Sequence, residues 1–149
     1  MRKENDHHIA IGGMFVNRKM MKKRISLIIA AFIILVMTGC GGYISSYKAT
    51  GFVRSNTSSS AYMNFWSFEG RMVFRLRAKA EGELKYTASL EKGNLTVYYD
   101  YIGTKSELFS LKDGGTADSS GGYVEEGTVY IIVETDGKCE NGELRIGLE

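Results

Sequence analysis

Apolar side chains recur at every second position along most of the C-terminal two-thirds of this chain. Met72, Phe74, Leu76 and Ala78 fall on one side of an extended backbone, and Arg71, Val73, Arg75, Arg77 and Lys79 fall on the other. Leu84, Tyr86, Ala88 and Leu90 repeat the pattern, as do Leu95, Val97, Tyr99 and Tyr101, then Val129, Ile131 and Val133, then Leu144, Ile146 and Leu148. Residues two apart share a face only in a strand, so this period excludes amphipathic helix and predicts strands. Weaker strands are expected at 47–54, 61–68, 107–111 and 123–124. About seven or eight short strands with frequent turn residues predict an all-β fold, an antiparallel two-sheet β-sandwich over residues 47–149. The chain has 18 Gly and no Pro, so its turns rest on Gly, Asn and Asp. Residues 55–60 and 112–122 read as loops from their Ser, Gly and Asp content.

Turn length suggests a pairing. A loop Ala80-Glu81-Gly82 would join 71–79 to 83–90 and set Lys79 against Glu83, Leu76 against Tyr86 and Met72 against Leu90. A turn Lys92-Gly93 would join 83–91 to 94–101 and set Leu90 against Leu95 and Lys85 against Asp100. The expected result is a three-stranded meander, with a further hairpin setting Val133 against Leu144.

The leader is of another kind. Met21-Lys22-Lys23-Arg24 precedes Ile25–Met37, thirteen residues in which Ser26 alone is polar. As a helix that run is roughly 20 Å long, short of a bilayer core of about 30 Å. A basic head, a short apolar run and small residues make a secretory signal peptide, read here as 21–39. Met37-Thr38-Gly39-Cys40 resembles the lipobox of bacterial lipoproteins, with Met in place of the commoner Leu. The resemblance implies a diacylglyceryl thioether on Cys40, which becomes the first mature residue. It further implies a membrane partner through that lipid, and an extracytoplasmic location on the cell membrane or outer membrane. Acyl chains contribute about 0.8 kcal/mol per buried CH₂, so two chains or more hold stably. Residues 40–46 then read as a flexible tether. The competing reading is a signal anchor without lipidation, since 25–44 is just long enough to span. Residues 1–20 have no period and read as a spurious or disordered extension, with translation starting at Met20 or Met21.

Charge divides the same way. Residues 1–39 hold seven Lys/Arg and two Asp/Glu, whereas residues 40–149 hold twelve and fifteen. The mature part is acidic, which argues against a nucleic-acid partner. The two histidines, His7 and His8, both lie in the leader. His-based triads and His metal sites are thereby excluded from the mature part, and no catalytic residue, cofactor or metal is assigned. With Cys40 lipidated, Cys139 is the only thiol left and reads as a small buried apolar residue. Without lipidation a Cys40–Cys139 bridge is open. Residues 83–148 also resemble the bacterial pre-peptidase C-terminal type of secreted β-sandwich. The resemblance runs through Asn94-Leu95-Thr96-Val97-Tyr98-Tyr99-Asp100, the Gly103 turn, Gly127-Thr128-Val129-Tyr130-Ile131-Ile132-Val133-Glu134 and Asn141-Gly142-Glu143-Leu144-Arg145-Ile146. It implies an accessory, non-catalytic module and transfers no functional residue.

Two surface sets are candidates for binding. Trp66 and Phe65, in an aromatic segment with Tyr62 and Phe68, together with Tyr98 and Tyr130 on the faces opposite the apolar sets, would suit an envelope protein or a glycan. Arg71, Arg75, Arg77 and Lys79 form a cationic stripe suited to an anionic partner, unless cross-strand pairs such as Lys79–Glu83 and Arg71–Glu91 neutralise it. Asp113 and Asp118, near Glu125 and Glu126, lack the ligand ladder of a calcium loop. The function that fits is a lipid-anchored envelope module that binds or supports, without catalysis. The alternative is a carbohydrate-binding module.

Overall fold

An alternating segment interrupted by a glycine can reverse direction, or it can turn a corner and continue. The computed structural model, which describes residues 42–149, shows the second. The leader, Cys40 and the N-terminal extension lie outside the described residues. Nine strands form: β1 (Ser46–Thr50), β2 (Val53–Asn56), β3 (Ser60–Ala78), β4 (Gly82–Lys92), β5 (Leu95–Tyr101), β6 (Thr104–Leu111), β7 (Thr116–Val124), β8 (Gly127–Thr135) and β9 (Cys139–Leu148). All pairings are antiparallel, in the order β6-β5-β8-β3-β9-β4-β7, with β1 and β2 on the remaining edge of β3.

The two halves of β3 lie in different layers. Its first half pairs with β9, from Ser60↔Gly147 to Phe68↔Cys139, and its second half with β8, from Arg71↔Glu134 to Ala78↔Gly127. So β8 and β9 are collinear along β3. In the same way β4 and β5 run on end to end along β9 and β8, and β7 and β6 along β4 and β5. Each ribbon therefore passes from one sheet, β3–β9–β4–β7, to the other, β3–β8–β5–β6. This is the connectivity of a jelly roll, an antiparallel β-sandwich as expected. β2 lies along the first half of β3, at Ala61–Asn64, and β1 follows the corner, at Ser67–Arg71.

The expected meander does not form. β9 lies between β3 and β4, β8 lies between β3 and β5, and Lys92-Gly93-Asn94 is a corner rather than a hairpin. Asp136-Gly137-Lys138 is likewise a corner, so Val133 faces Met72 and Val97 while Leu144 faces Met63 and Ala88. Lys85 meets Gly147 and Ser120, not Asp100. Segment 112–122 is a loop only to Gly115, because small polar residues from Thr116 onward form edge strand β7 on β4.

The corners are laced to one another. Gly93 N donates to Asp113 Oδ1 (2.5 Å), Asp136 N to Asn94 O (3.1 Å), and Gly70 N to Thr135 Oγ1 (2.9 Å). In β3 the corner is a change of face. Ala61, Met63 and Phe65 point inward, then Phe68, Met72, Phe74, Leu76 and Ala78, with Trp66 and Ser67 outside the core between them. β9 switches at the same level, where Asn141 has φ 49° between buried Cys139 and Gly142. One continuous core fills both halves.

Gly93 packs its corner directly against Cys139. Its φ is 103°, and a Cβ there would lie 2.7 Å from Cys139 Sγ and 2.9 Å from its Cα. Gly137 also has positive φ, 77°, but open space around it. We expect Gly93→Ala to lose well over about 1 kcal/mol and Gly137→Ala about 1 kcal/mol. Urea midpoints measure both, and equal losses would show that contact with Cys139 does not shape the corner.

Candidate functional site

The outward face of the β3–β8–β5–β6 sheet gathers most of the residues singled out from the sequence. Strand alternation places Arg71, Val73, Arg75 and Arg77 outward, and the register sets Glu134, Ile132, Tyr130 and Thr128 opposite them on β8. β5 adds Thr96, Tyr98 and Asp100 across from Glu134, Ile132 and Tyr130. Ile132 is wholly buried and Asp100 is 5% exposed, so something covers this face.

Part of the cover is Tyr43. Its hydroxyl donates to Asp100 Oδ2, and its ring meets Tyr130 edge-on with centroids 5.6 Å apart. Ser45 Oγ, two residues on, accepts from Val73 N (3.0 Å) on the free edge of β3. The tether expected over 40–46 is thus held to the domain from Tyr43 onward. The bond to Asp100, burial, and the negative charge of Asp100 together push the Tyr43 phenol up to about 12. Sequence reading missed Tyr43 because neither its spacing nor its neighbours belong to a strand pattern.

Beside this strap, Glu134 accepts from Arg71 Nε (2.6 Å) and Lys105 Nζ (3.0 Å). Burial alone would raise the Glu134 carboxyl, but the bonds and charges of Lys105 and Arg71 outweigh it and hold the pKa below its usual value. Lys105 Nζ also sits 4.0 Å from the Tyr98 ring centroid. Tyr98 and Tyr130 therefore already carry partners. Arg75, Arg77 and Lys79 are exposed and make no ion pair among the described residues. The pairs expected to neutralise them do not form: Glu83 accepts from Ser120, and Glu91 from Asn141.

The aromatic segment is split by the corner. Phe65 and Phe68 pack in the core with centroids 5.4 Å apart, so Phe65 offers nothing to a ligand. Trp66 is 71% exposed, with the inner edge of its ring against Gly51. Trp66, Tyr98 and Tyr130 do not form one platform, because the latter two belong to the β5–β8 face.

The opposite outward face carries a groove. Register aligns Tyr62, Arg145, Thr87 and Asp118 in one row and Ser60, Gly147, Lys85 and Ser120 in the next. Gly147 has no side chain, and an open depression of about 420 Å³ lies there, lined in part by Tyr62, Lys85, Thr87 and Arg145. Arg145 lies over the Tyr62 ring at 4.5 Å and pairs with Glu143, while Lys85 pairs with Glu149. Lys85 and Arg145 were not foreseen, since their meeting depends on β9 lying between β3 and β4.

Other candidates are separate. Cys139 is wholly buried, its Sγ 3.3 Å from Asn94 O, and burial pushes the thiol pKa up. Asp113 caps the Gly93 corner, and Asp118 lies on β7. Among the described residues no group of three or more His, Cys, Asp or Glu is placed to hold a metal ion, and no helix is long and apolar enough to cross a membrane.

No family model matches the sequence, and no curated protein matches it. Solved structures of similar fold include TmCBM61 in complex with β-1,4-galactotriose, at 17% identity and TM-score 0.46, covering 70% of this chain and 87% of that one. A family 29 carbohydrate-binding module is similar at 13% identity and TM-score 0.36, covering 70% and 78%. The Drosophila melanogaster CENP-C cupin domain is similar at 18% identity and TM-score 0.31, covering 71% and 74%.

Tyr43→Phe leaves the buried Asp100 carboxyl without its donor and is expected to cost about 1–3 kcal/mol. The phenol's folded pKa lies above its unfolded value of 10.0, so the contribution is complete below pH 10 and is lost as pH rises through about 12. The wild-type minus variant stability, followed by urea titration across that range, measures it. A difference that vanishes well below pH 10 would show that the hydroxyl does not hold the strap.

Proposed function

We propose that this chain is an exported bacterial lipoprotein, fixed through acylated Cys40 to a membrane and acting outside the cytoplasm as a non-catalytic binding or structural module. The lipobox-like Met37-Thr38-Gly39-Cys40 at the end of a short apolar run carries the reading. Its placement supports it, because only Gly41 and Gly42 separate Cys40 from Tyr43, where attachment to the domain begins. The resemblance of residues 83–148 to secreted accessory sandwiches points the same way.

Intact mass of the protein recovered from membranes tests this. A chain beginning at Cys40 and carrying a diacylglyceryl group is expected, and Cys40→Ser should abolish both the added mass and the cleavage. A membrane-held chain that keeps residues 21–39 and bears no lipid would instead establish the signal anchor.

A second reading, glycan binding, is favoured by the polar groove beside Tyr62 rather than by Trp66. Rings and paired charges around a shallow open depression suit a sugar's alternating apolar and hydroxyl surfaces. Calorimetry against a panel of envelope glycans should then give binding that Arg145→Ala weakens about tenfold or more, as expected for loss of a charged hydrogen-bond donor. Heat from no glycan, or binding indifferent to Arg145, would sink it.

A further inference from the structure

We propose that the outward face and free end of the β3–β8–β5–β6 sheet rest on the anionic headgroups of the anchoring bilayer. The proposal deepens the lipid-anchor reading and rests on it. Three independent features converge on this surface.

The first is unpaired positive charge. Arg75 and Arg77 project from β3 and Lys79 follows its last residue, all three exposed and without an ion pair among the described residues. Of the four cations in the stripe, Arg71 alone is engaged, by Glu134. At the same end Glu81, Glu125 and Glu126 keep their negative charge, the first two as acceptors from the Tyr123 (2.7 Å) and Tyr101 (3.5 Å) hydroxyls, so the unpaired cations form a local stripe along β3 rather than an excess over the whole end.

The second is a strained apolar tip. β5 and β6 are joined by Ile102-Gly103, both at positive φ, 59° and 84°. Such two-residue turns favour Asn-Gly, and a β-branched residue there is a conformational outlier. Ile102 is 81% exposed, so packing within the domain does not offset the strain. Leu76, Val129 and Tyr101 form one row of this sheet, and Ile102 comes next beyond it, at the end where Arg77 and Lys79 emerge. An exposed isoleucine held at such a cost becomes favourable once the tip is covered by an apolar or interfacial medium.

The third is reach. Cys40 lies three residues before Tyr43, at most about 11 Å of extended chain. Tyr43 is strapped across this same face, and Ile44 beside it is 77% exposed. The lipid therefore holds this surface near the bilayer and makes its contact an intramolecular event. Each basic residue at an anionic surface then multiplies the docked population roughly fivefold.

The test uses the full lipoprotein purified from membranes, its acylation established by intact mass, in vesicles of phosphatidylcholine alone or mixed with phosphatidylglycerol. Acetylation of Lys79 is followed by mass spectrometry, with Lys85 on the opposite face as internal reference. Lys79 is expected to react at least about threefold more slowly on the anionic vesicles, with protection lost at high salt. Arg75→Glu with Arg77→Glu should remove the protection. Ile102→Asn should raise the denaturation midpoint yet reduce the protection, a combination that a merely structural role for Ile102 would not give. Acylated protein whose Lys79 reacts equally on both vesicles overturns the docking and leaves the lipoprotein reading standing. Protection that appears only when an acidic wall polymer is added also overturns it. An unacylated chain overturns both. Salt dependence in the wild type decides the matter even where a variant folds poorly.

Discussion

Every ribbon of this sandwich must turn its corner at the same level, and the rest of the fold follows from that constraint. Adjacent strands share a ladder of hydrogen bonds, so a ribbon that stayed straight would leave its neighbours unpaired in one layer or the other. The chain meets the requirement with glycines at the corners and, in β3 and β9, with a change of face as well. Gly51, Gly70, Gly93, Gly114 and Gly137, all at positive φ, lie at the corners of successive ribbons. Side-chain and main-chain bonds from Asp113 to Gly93, from Asn94 to Asp136 and from Thr135 to Gly70 tie each corner to the next. Burial then works on both layers at once, because Met63 and Phe74 on one continuous strand serve the β9 and β8 halves of a single core.

Strands were legible in the sequence because alternation is a local property; their partners were not. Any two alternating segments set antiparallel with the right parity match apolar to apolar, so Leu76 against Tyr86 looks as good as the actual Leu76 against Val129. The residues of Lys92-Gly93 are equally at home in a hairpin and in a corner, and only the position of β8 and β9 decides. β7 has the composition of a loop for a different reason. An edge strand such as Thr116–Val124 is held by main-chain bonds to β4 and buries little, so Ser119, Ser120 and Gly121 suffice and leave no apolar signature. The aromatic crowd from Tyr62 to Phe68 was visible as a cluster. Its division into two core rings, one exposed indole and one tyrosine on the outward groove is a consequence of strand parity and the corner, which composition cannot show.

The surface followed the same rule. The outward placement of Arg71, Arg75, Arg77, Tyr98 and Tyr130 was readable from parity alone. What covers them was not, because Tyr43 reaches Asp100 from 57 residues away in sequence. The strap changes what residues 43–45 do. Instead of a loose spacer, they form the last turn of chain before the domain, pinned at a phenol, a ring edge and a serine hydroxyl.

The jelly-roll crossing also determines which cations stay free. Had β3 folded back on β4, Lys79 would have met Glu83 and Arg71 would have met Glu91, and the stripe would be largely neutral. With β8 as the neighbour instead, the register offers Glu134 to Arg71 but Tyr130 to Arg75 and Thr128 to Arg77. Neither tyrosine nor threonine carries a compensating charge, so solvent or a partner must supply it. Tyr130 is in turn committed to Tyr43, and Asp100, the carboxylate next along that row, is committed to the same strap. The strand that sits beside β3 therefore does two things with one set of side chains: it packs the N-terminal segment against the sheet, and it leaves the adjoining arginines facing outward with their charge unspent.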